Sequence, residues 1–272
     1  MKLIDKLLET QKNHLALLAT NFYNCETLSG ILQAAKEMHQ PVILQLSKGS
    51  LDYMGLRTAI SMARASLKEF DIEGWIHLDH SDNYDLVHEC LDHGFDSVMI
   101  DASEKPFKEN VLITKKVVQL AAGYGANVEA ELGYVPKLGQ PGNKDGFTNP
   151  EEAKYFVEET GINALAVAIG SAHGFYTEIP KLDLERLSQI ANATDAFLVL
   201  HGGSGIPSQA LRDAIKRGIC KINLATEIKN IFMHSLKAAI ANSEEIDIRK
   251  VFPPAIHSVT GLVKEKLKII SN

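Results

Sequence analysis

Cysteine is scarce in this chain and scattered. Its three cysteines, Cys25, Cys90 and Cys220, are odd in number, far apart and form no CxxC pair. That pattern argues against a structural thiolate metal site and fits a reducing compartment. Long apolar runs are missing too. The stretch "MKLIDKLLETQKNHLALLAT" carries acidic residues among short hydrophobic runs, which suits neither a secretory leader nor a membrane span. Positive charge is not in excess: 28 Lys and Arg against 34 Asp and Glu leave a net charge of −6, without the basic stripe a nucleic-acid surface needs. Small anions stay admissible, because a few local donors bind them whatever the net charge. No repeat or low-complexity segment is present. The glycine fingerprint that follows the first strand of a dinucleotide-binding sheet is also absent. The expectation is a cytoplasmic protein with no nucleic-acid or membrane partner.

What is there is apolar and alternating. The chain has 272 residues, 45% of them hydrophobic and 23% charged, enough to bury a full core. Short β-type runs stand at 15–20, 41–47, 74–79, 96–101, 127–132, 164–170, 196–202 and 220–225. They are nearly continuously apolar, as parallel strands covered on both faces are. Amphipathic helical patterns such as "CETLSGILQAAKEMH", "NYDLVHECLDHG" and "PEEAKYFVEETG" lie between them. Pro150 stands at a first helical position, and Gly94 and Gly161 stand where helices stop. Eight such beats predict one α/β domain over 1–272, a (β/α)8 TIM barrel, with additional C-terminal helices after about residue 241. The stretch 133–150, "GYVPKLGQPGNKDGFTNP", is too long and too rich in Gly and Pro for a routine connection and reads as a functional loop.

Barrel active sites form at the C-terminal ends of the strands, and here those ends are polar. The third ends in Asp79 and His80, the fourth in Asp101, and the fifth carries Glu129 and Glu131. The sixth runs to His173, the seventh to His201, and the eighth holds Asn223. A lone histidine is most often a hydrogen-bonded core or rim residue, and His14, His39, His77, His88, His93, His234 and His257 are read so. His80, His173 and His201 share one end of the barrel, and three imidazoles there suit an open catalytic zinc site. Asp79 either moves a proton on a substrate held there, or caps a helix and orients an imidazole. "HGGSGIPS" and "NLATE" have the glycines and helix start of an anion site, in the loops where this fold commonly binds phosphate. The residues alone point to a metal-dependent enzyme acting on a small phosphorylated substrate.

In the same order, "NFYNCE", "PVILQLSKGS", "IHLDH", "SVMIDAS", "VEAELG", "LAVAIGSAHG", "LVLHGGSGIP" and "CKINLATE" resemble the blocks of the class II, zinc-dependent ketose-bisphosphate aldolases. The tagatose-1,6-bisphosphate branch looks closest through "GICKINLATEIKN", with fructose-1,6-bisphosphate aldolase next. The resemblance implies that His80, His173 and His201 bind one catalytic Zn2+. It implies that Asp79 shuttles the C4 hydroxyl proton. Gly174, Gly202, Gly203, Ser204, Asn223, Leu224, Ala225 and Thr226 would hold dihydroxyacetone phosphate. Asp101 and Glu131 match an alternative metal position, and a second metal or monovalent cation is admitted. Ser47 and Arg249 match residues near the distal phosphate, the arginine acting across a dimer interface.

One segment departs from the family. Its loop carries a glutamate that exchanges a proton on the dihydroxyacetone phosphate carbon. Here Lys144 stands near that place, with Asp145 beside it. A lysine replaces a carboxylate base only if its pKa is strongly depressed, so Asp145 is the substitute, or the substrate is another phosphorylated ketose or sugar acid, or the final proton transfer uses another group. The resemblance further implies a homodimer or homotetramer and, for the tagatose type, a noncatalytic accessory subunit. A sugar-phosphate-binding subunit without activity is the reading from outside enzymology, and the complete Asp79, His80, His173 and His201 set argues against it.

Overall fold

The computed structural model describes residues 1–136, 146–176, 178–241 and 243–271. After α1 (Leu3–Lys12), strands β1 (Leu17–Asn21) and β2 (Val42–Ser47) flank α2 (Cys25–Met38). The short α3 (Lys48–Met54) and α4 (Leu56–Phe70) lead to β3 (Gly74–Ser81). Then come α5 (Tyr84–Asp92), β4 (Ser97–Ile100), α6 (Phe107–Ala122), β5 (Asn127–Leu132) and α7 (Pro150–Thr160). β6 (Ala164–Val167), α8 (Leu184–Ala193), β7 (Phe197–Leu200), α9 (Ser208–Lys216) and β8 (Ile219–Leu224) follow. The last helices are α10 (Thr226–Ala241), α11 (Ile248–Val251) and α12 (Pro253–Ile270).

Every neighbouring strand pair is parallel and β1 pairs with β8, so the sheet closes in the order β1 to β8. This is the expected (β/α)8 barrel with added C-terminal helices. β6 and β7 end earlier than the apolar runs that announce them, because the chain leaves the sheet there to build loops at the barrel mouth. Local chemistry sets the helix ends. Asn24 and Thr27 form a reciprocal capping box at α2, and the Asn83 side chain accepts from Leu86 N–H at α5. Asn149 caps α7, Pro150 opens it, and Gly161 ends it in the left-handed conformation.

Side chains alternate across each strand. Outward residues such as Leu44, Ile76, Val98, Leu165 and Ile222 join the helices in the main core. Inward residues make a smaller apolar floor from Leu17, Ile43, Trp75, Met99, Phe197 and Val199, closed from below by Leu3 and Leu7 of α1. Each large side chain buried in this way contributes about 1.5–3 kcal/mol. Among the described residues no helix is long and apolar enough to cross a membrane.

The C-terminal α12 lies against α2 at Gly30, and Thr260 Oγ1 donates to the Gly30 carbonyl at 3.1 Å. A β-carbon at Gly30 would stand 2.8 Å from Val259 Cβ and 2.9 Å from the Ile256 carbonyl oxygen. Neither neighbour is the free end of a flexible chain. Gly30→Val is therefore expected to force the helices apart and destabilise the fold by about 1–3 kcal/mol. An unchanged urea midpoint would show that the two helices do not depend on this close approach.

Candidate active site

The tip of β3 solves a geometric problem. Adjacent strand residues face opposite sides, yet Asp79 and His80 both reach the mouth of the barrel. Against β4, Leu78 pairs with Val98 and Ser81 with Ile100, so β3 carries one residue more than its neighbour. That is a bulge, and His80 inside it has φ 46°, the left-handed region. Histidine tolerates this region better than branched residues do, at an energy of about 1–3 kcal/mol. The turn it makes is what puts acid and imidazole on one face.

His80, Glu131, His173 and His201 each offer a donor atom, all within 4.8 Å of one another. The rings of His80 lie 4.9 Å from His173 and 4.6 Å from His201, edge to face. Two imidazoles are held from behind. His80 Nδ1 is 2.8 Å from Asp101 Oδ2, and His201 Nε2 is 2.9 Å from Glu129 Oε1. Their other nitrogens, His80 Nε2 and His201 Nδ1, are buried with no hydrogen-bond partner, as is Glu131 Oε2. Orphaned buried polar atoms are costly, and here they meet at one place. Three imidazoles and a carboxylate are a donor set for a divalent transition metal. The residues fit such an ion.

The charges tell the same story. Burial works against a proton on His80, but the carboxylates of Asp79 and Asp101 outweigh it and raise the imidazole to about 9. Burial, reinforced by Asp101, raises Glu131 to about 8. Burial would raise Asp101 too, but His80 and the Ser103 donors hold it well below the usual carboxylate range. Both His80 and Glu131 are thus biased toward holding a proton where the donor atoms converge.

Asp79 is buried yet ionised. Burial would raise its pKa, but the charge of His80 and the Asn21 amide, among others, hold it below the ordinary value. Asn21 Nδ2 donates to Oδ2 at 2.9 Å, Gln45 Nε2 to Oδ1 at 3.0 Å, and Asn223 Nδ2 to Oδ1 at 3.5 Å. Three neighbouring strands thus clamp one carboxylate.

Asn21, Asp79, His80, His173, Gly174, Gly202, Ser204, Asn223, Ala225 and Thr226 line a single cleft. Gly202 has φ 67°, and a β-carbon there would lie 2.2 Å from the Ala172 carbonyl oxygen, so only glycine fits between the loops after β6 and β7. Thr226 opens α10, whose N-terminus faces this cleft as an anion site would require. Other expected residues stand differently. Gly203 N–H is engaged by the Asn223 carbonyl at 3.1 Å, and Leu224 is buried in the core outside the barrel. Asp101 is outside the four-donor cluster and bonds His80 instead. Ser47 pairs in register with Asp79, but its hydroxyl caps α3. Arg249 is 86% exposed on its side chain, is bound to Asp247, and does not line this cleft. The loop after β5 is anchored where it is described: Tyr134 N–H donates to the Gly146 carbonyl, and His173 N–H to Pro136. Lys144 and Asp145 lie outside the described residues.

Sequence reasoning missed Asn21 and Gln45, which look like ordinary polar positions in apolar strands, and assigned no role to Glu129. It read His77 as a core residue. That histidine is fully buried one layer below the site, with Nδ1 2.9 Å from Ser97 Oγ.

Known proteins resemble this chain along nearly its whole length. The profile of the family described as fructose-bisphosphate aldolase class-II matches residues 2–272. Fructose-bisphosphate aldolases of Staphylococcus aureus strains Mu50 and MW2 are 40% identical over 270 residues, 97% of this chain and 94% of theirs. The crystal structure of the YdjI aldolase from Escherichia coli K12 superposes with a TM-score of 0.88 at 30% identity, covering 99% of this chain and 96% of that one. A putative fructose-1,6-bisphosphate aldolase from Coccidioides immitis gives 0.89 at 26% identity, with the same coverage.

A metal ion and a proton compete for these donors. His80, raised to about 9, and Glu131, raised to about 8, both hold a proton at neutral pH in the metal-free site. Zinc binding at pH 7 is expected to release about one to two protons, falling toward zero above pH 9. Calorimetric titration in buffers of different ionisation enthalpy measures this number. Heats independent of the buffer at pH 7 would contradict the assignment of the cluster.

Proposed function

Because the chain belongs to the class II fructose-bisphosphate aldolase family, we propose that its cleft catalyses the reversible, metal-dependent aldol cleavage of a ketose 1,6-bisphosphate to dihydroxyacetone phosphate and glyceraldehyde 3-phosphate. The observation that carries this reading is an ionised, amide-clamped Asp79 on the same strand tip as His80, beside a four-donor cluster.

In the cleavage direction the C3–C4 bond breaks. Asp79 takes the proton of the C4 hydroxyl as C4 becomes an aldehyde, and the bonding electrons pass to C3 and the adjacent carbonyl. His80, His173 and His201, with Glu131 beside them, would hold a divalent ion, which would supply Lewis-acid stabilisation of that developing charge; three imidazole donors suit zinc. Asp101 orients His80 from behind. Asn21 and Gln45 keep Asp79 ionised and aimed, and Asn223 links it to the phosphate end of the cleft. Gly174, Gly202, Ser204, Ala225 and Thr226 hold the phosphate of the dihydroxyacetone half at the start of α10. Gly203 contributes its lack of a side chain rather than its N–H. For the proton returned to C3 the sequence offers Asp145, the carboxylate beside Lys144. Among the described residues a covalent amine route finds no free lysine at the centre of the barrel, because Lys221 is buried and paired with Glu129 at 2.7 Å.

Tagatose and fructose bisphosphates differ in configuration at C4, the carbon whose hydroxyl Asp79 serves. The names of the curated relatives speak for fructose, and the "GICKINLATEIKN" stretch speaks for tagatose. Arg249 stands apart from its own cleft and exposed, which suits a role at the distal phosphate across a homodimer interface.

The test is release of dihydroxyacetone phosphate from both sugars by metal-stripped and zinc-restored protein. Cleavage is expected to vanish on stripping and return with zinc, and the ratio of the two rates identifies the substrate. Asp79→Asn is expected to lower kcat by about 10²–10⁴-fold while zinc stays bound. No release from either sugar by a stoichiometrically zinc-loaded protein would overturn the bisphosphate assignment.

A further inference from the structure

Below the site, the barrel interior holds ionisable groups that this chemistry does not use. Lys221 of β8 and Glu129 of β5 are both about 98% buried, and Lys221 Nζ lies 2.7 Å from Glu129 Oε2. Lysine is rarely found so deep unless paired. Replacing a buried ion pair with well-packed apolar residues is often neutral or stabilising, so stability alone does not explain this one. The second oxygen of the same carboxylate does. Glu129 Oε1 is 2.9 Å from His201 Nε2, while His201 Nδ1 makes no hydrogen bond and lies 3.4 Å from Glu131 Oε2, its fellow donor in the metal cluster.

We infer that the buried Lys221–Glu129 pair is a positioning device that fixes which ring nitrogen of His201 faces the metal. This rests on the metal site proposed above. A neutral imidazole has one N–H and one lone pair. An ionised carboxylate only accepts, so with Glu129 behind Nε2 the proton sits on Nε2 and the lone pair on Nδ1, toward the cluster. His80 uses the opposite nitrogen, with Nδ1 toward Asp101. Asp101 sits at the half-buried rim and takes two more donors from Ser103. Glu129 is too deep for water, and its other neighbour, His77 Nε2, is 4.0 Å away. Lys221 Nζ holds Oε2 at 2.7 Å, and that contact leaves Oε1 aimed at His201 Nε2. Without Lys221 the carboxylate loses the contact that fixes Oε2, and the ring of His201 loses the acceptor that holds its Nε2–H.

The experiment uses the zinc-loaded full chain. Competition with a chelator reads the affinity of Lys221→Met and Glu129→Gln for zinc, and proton–nitrogen correlation NMR reads the ring N–H of His201. In the unaltered protein His201 is expected to carry its N–H on Nε2 in a strong, slowly exchanging hydrogen bond. A proton on Nδ1 with zinc on Nε2 overturns the proposal without any variant. Lys221→Met is expected to weaken zinc binding about 10–100-fold. Lys221→Met is expected to cost less zinc affinity in the Glu129→Gln background than in the original protein, because the lysine acts through the carboxylate. A merely structural pair would lower the melting temperature and leave the folded fraction's zinc affinity unchanged. A folded Lys221→Met protein within twofold of the original affinity therefore overturns the proposal. The readouts need no sugar: a chain that binds zinc in this way but cleaves neither bisphosphate refutes the aldolase reading alone.

Discussion

His80 Nε2, His201 Nδ1 and an oxygen of Glu131 face one another out of reach of water, with Asp79 and Asp101 close by. Polar atoms so placed have lost their hydration, and the acids repel one another. The arrangement needs positive charge at its centre. Against the effect of burial, the carboxylates of Asp79 and Asp101 raise the imidazole of His80 to about 9, burial raises Glu131 to about 8, and both shifts favour a proton at this place in the metal-free protein. A divalent ion does the same work more completely, since it serves all the donors at once. The other features of the barrel mouth either hold these atoms in place or prevent the protons from going elsewhere.

That task explains the layering inside the barrel. Successive inward positions on one strand climb from floor to mouth. β3 presents Trp75, then His77, then Asp79. β5 presents Asn127, Glu129 and Glu131. The floor is apolar and sealed by α1. The middle layer is polar and paired, with Glu129 between Lys221 and His201. The top layer is the open cleft. Polarity rises along a few ångströms, and the middle layer carries the transition. An apolar middle layer would pack as well, but it would leave the back of His201 without an acceptor.

The architecture and the top layer were legible in the sequence for one reason. Parallel strands in a closed barrel all end on the same face, so polar residues at six strand ends must meet, however far apart they are in the chain. Asp79, His80, His173, His201 and Asn223 were found that way, and the structure brings them together. Residues below the tips were not legible. Glu129 and Lys221 are 92 positions apart, and nothing local to "NVEAEL" or "CKINL" says that their side chains meet across the barrel. The one available signal was the charge itself: a lysine inside an apolar parallel strand demands a partner. Asn21 and Gln45 gave less, because amides carry no charge to account for. Stretches carried over whole were also too coarse. Of 223–226, Leu224 turns outward to the core while Asn223, Ala225 and Thr226 reach the cleft.

Asp79 and His80 are chain neighbours with opposite fates, and the bulge in β3 alone does not decide which is which. It brings both to the mouth, so either could in principle join the metal cluster. Their partners decide. His80 has one nitrogen tied to Asp101 and the other left open toward the cluster. Asp79 accepts amide donors on both carboxylate oxygens, from β1, β2 and β8. Amides stabilise a carboxylate without consuming its negative charge, as a coordinated cation would. Asp79 therefore stays ionised beside the metal cluster, with its lone pairs open to a substrate proton, while remaining outside it. A base has to be near the Lewis acid but not bound to it, and the three amides around Asp79 meet that requirement.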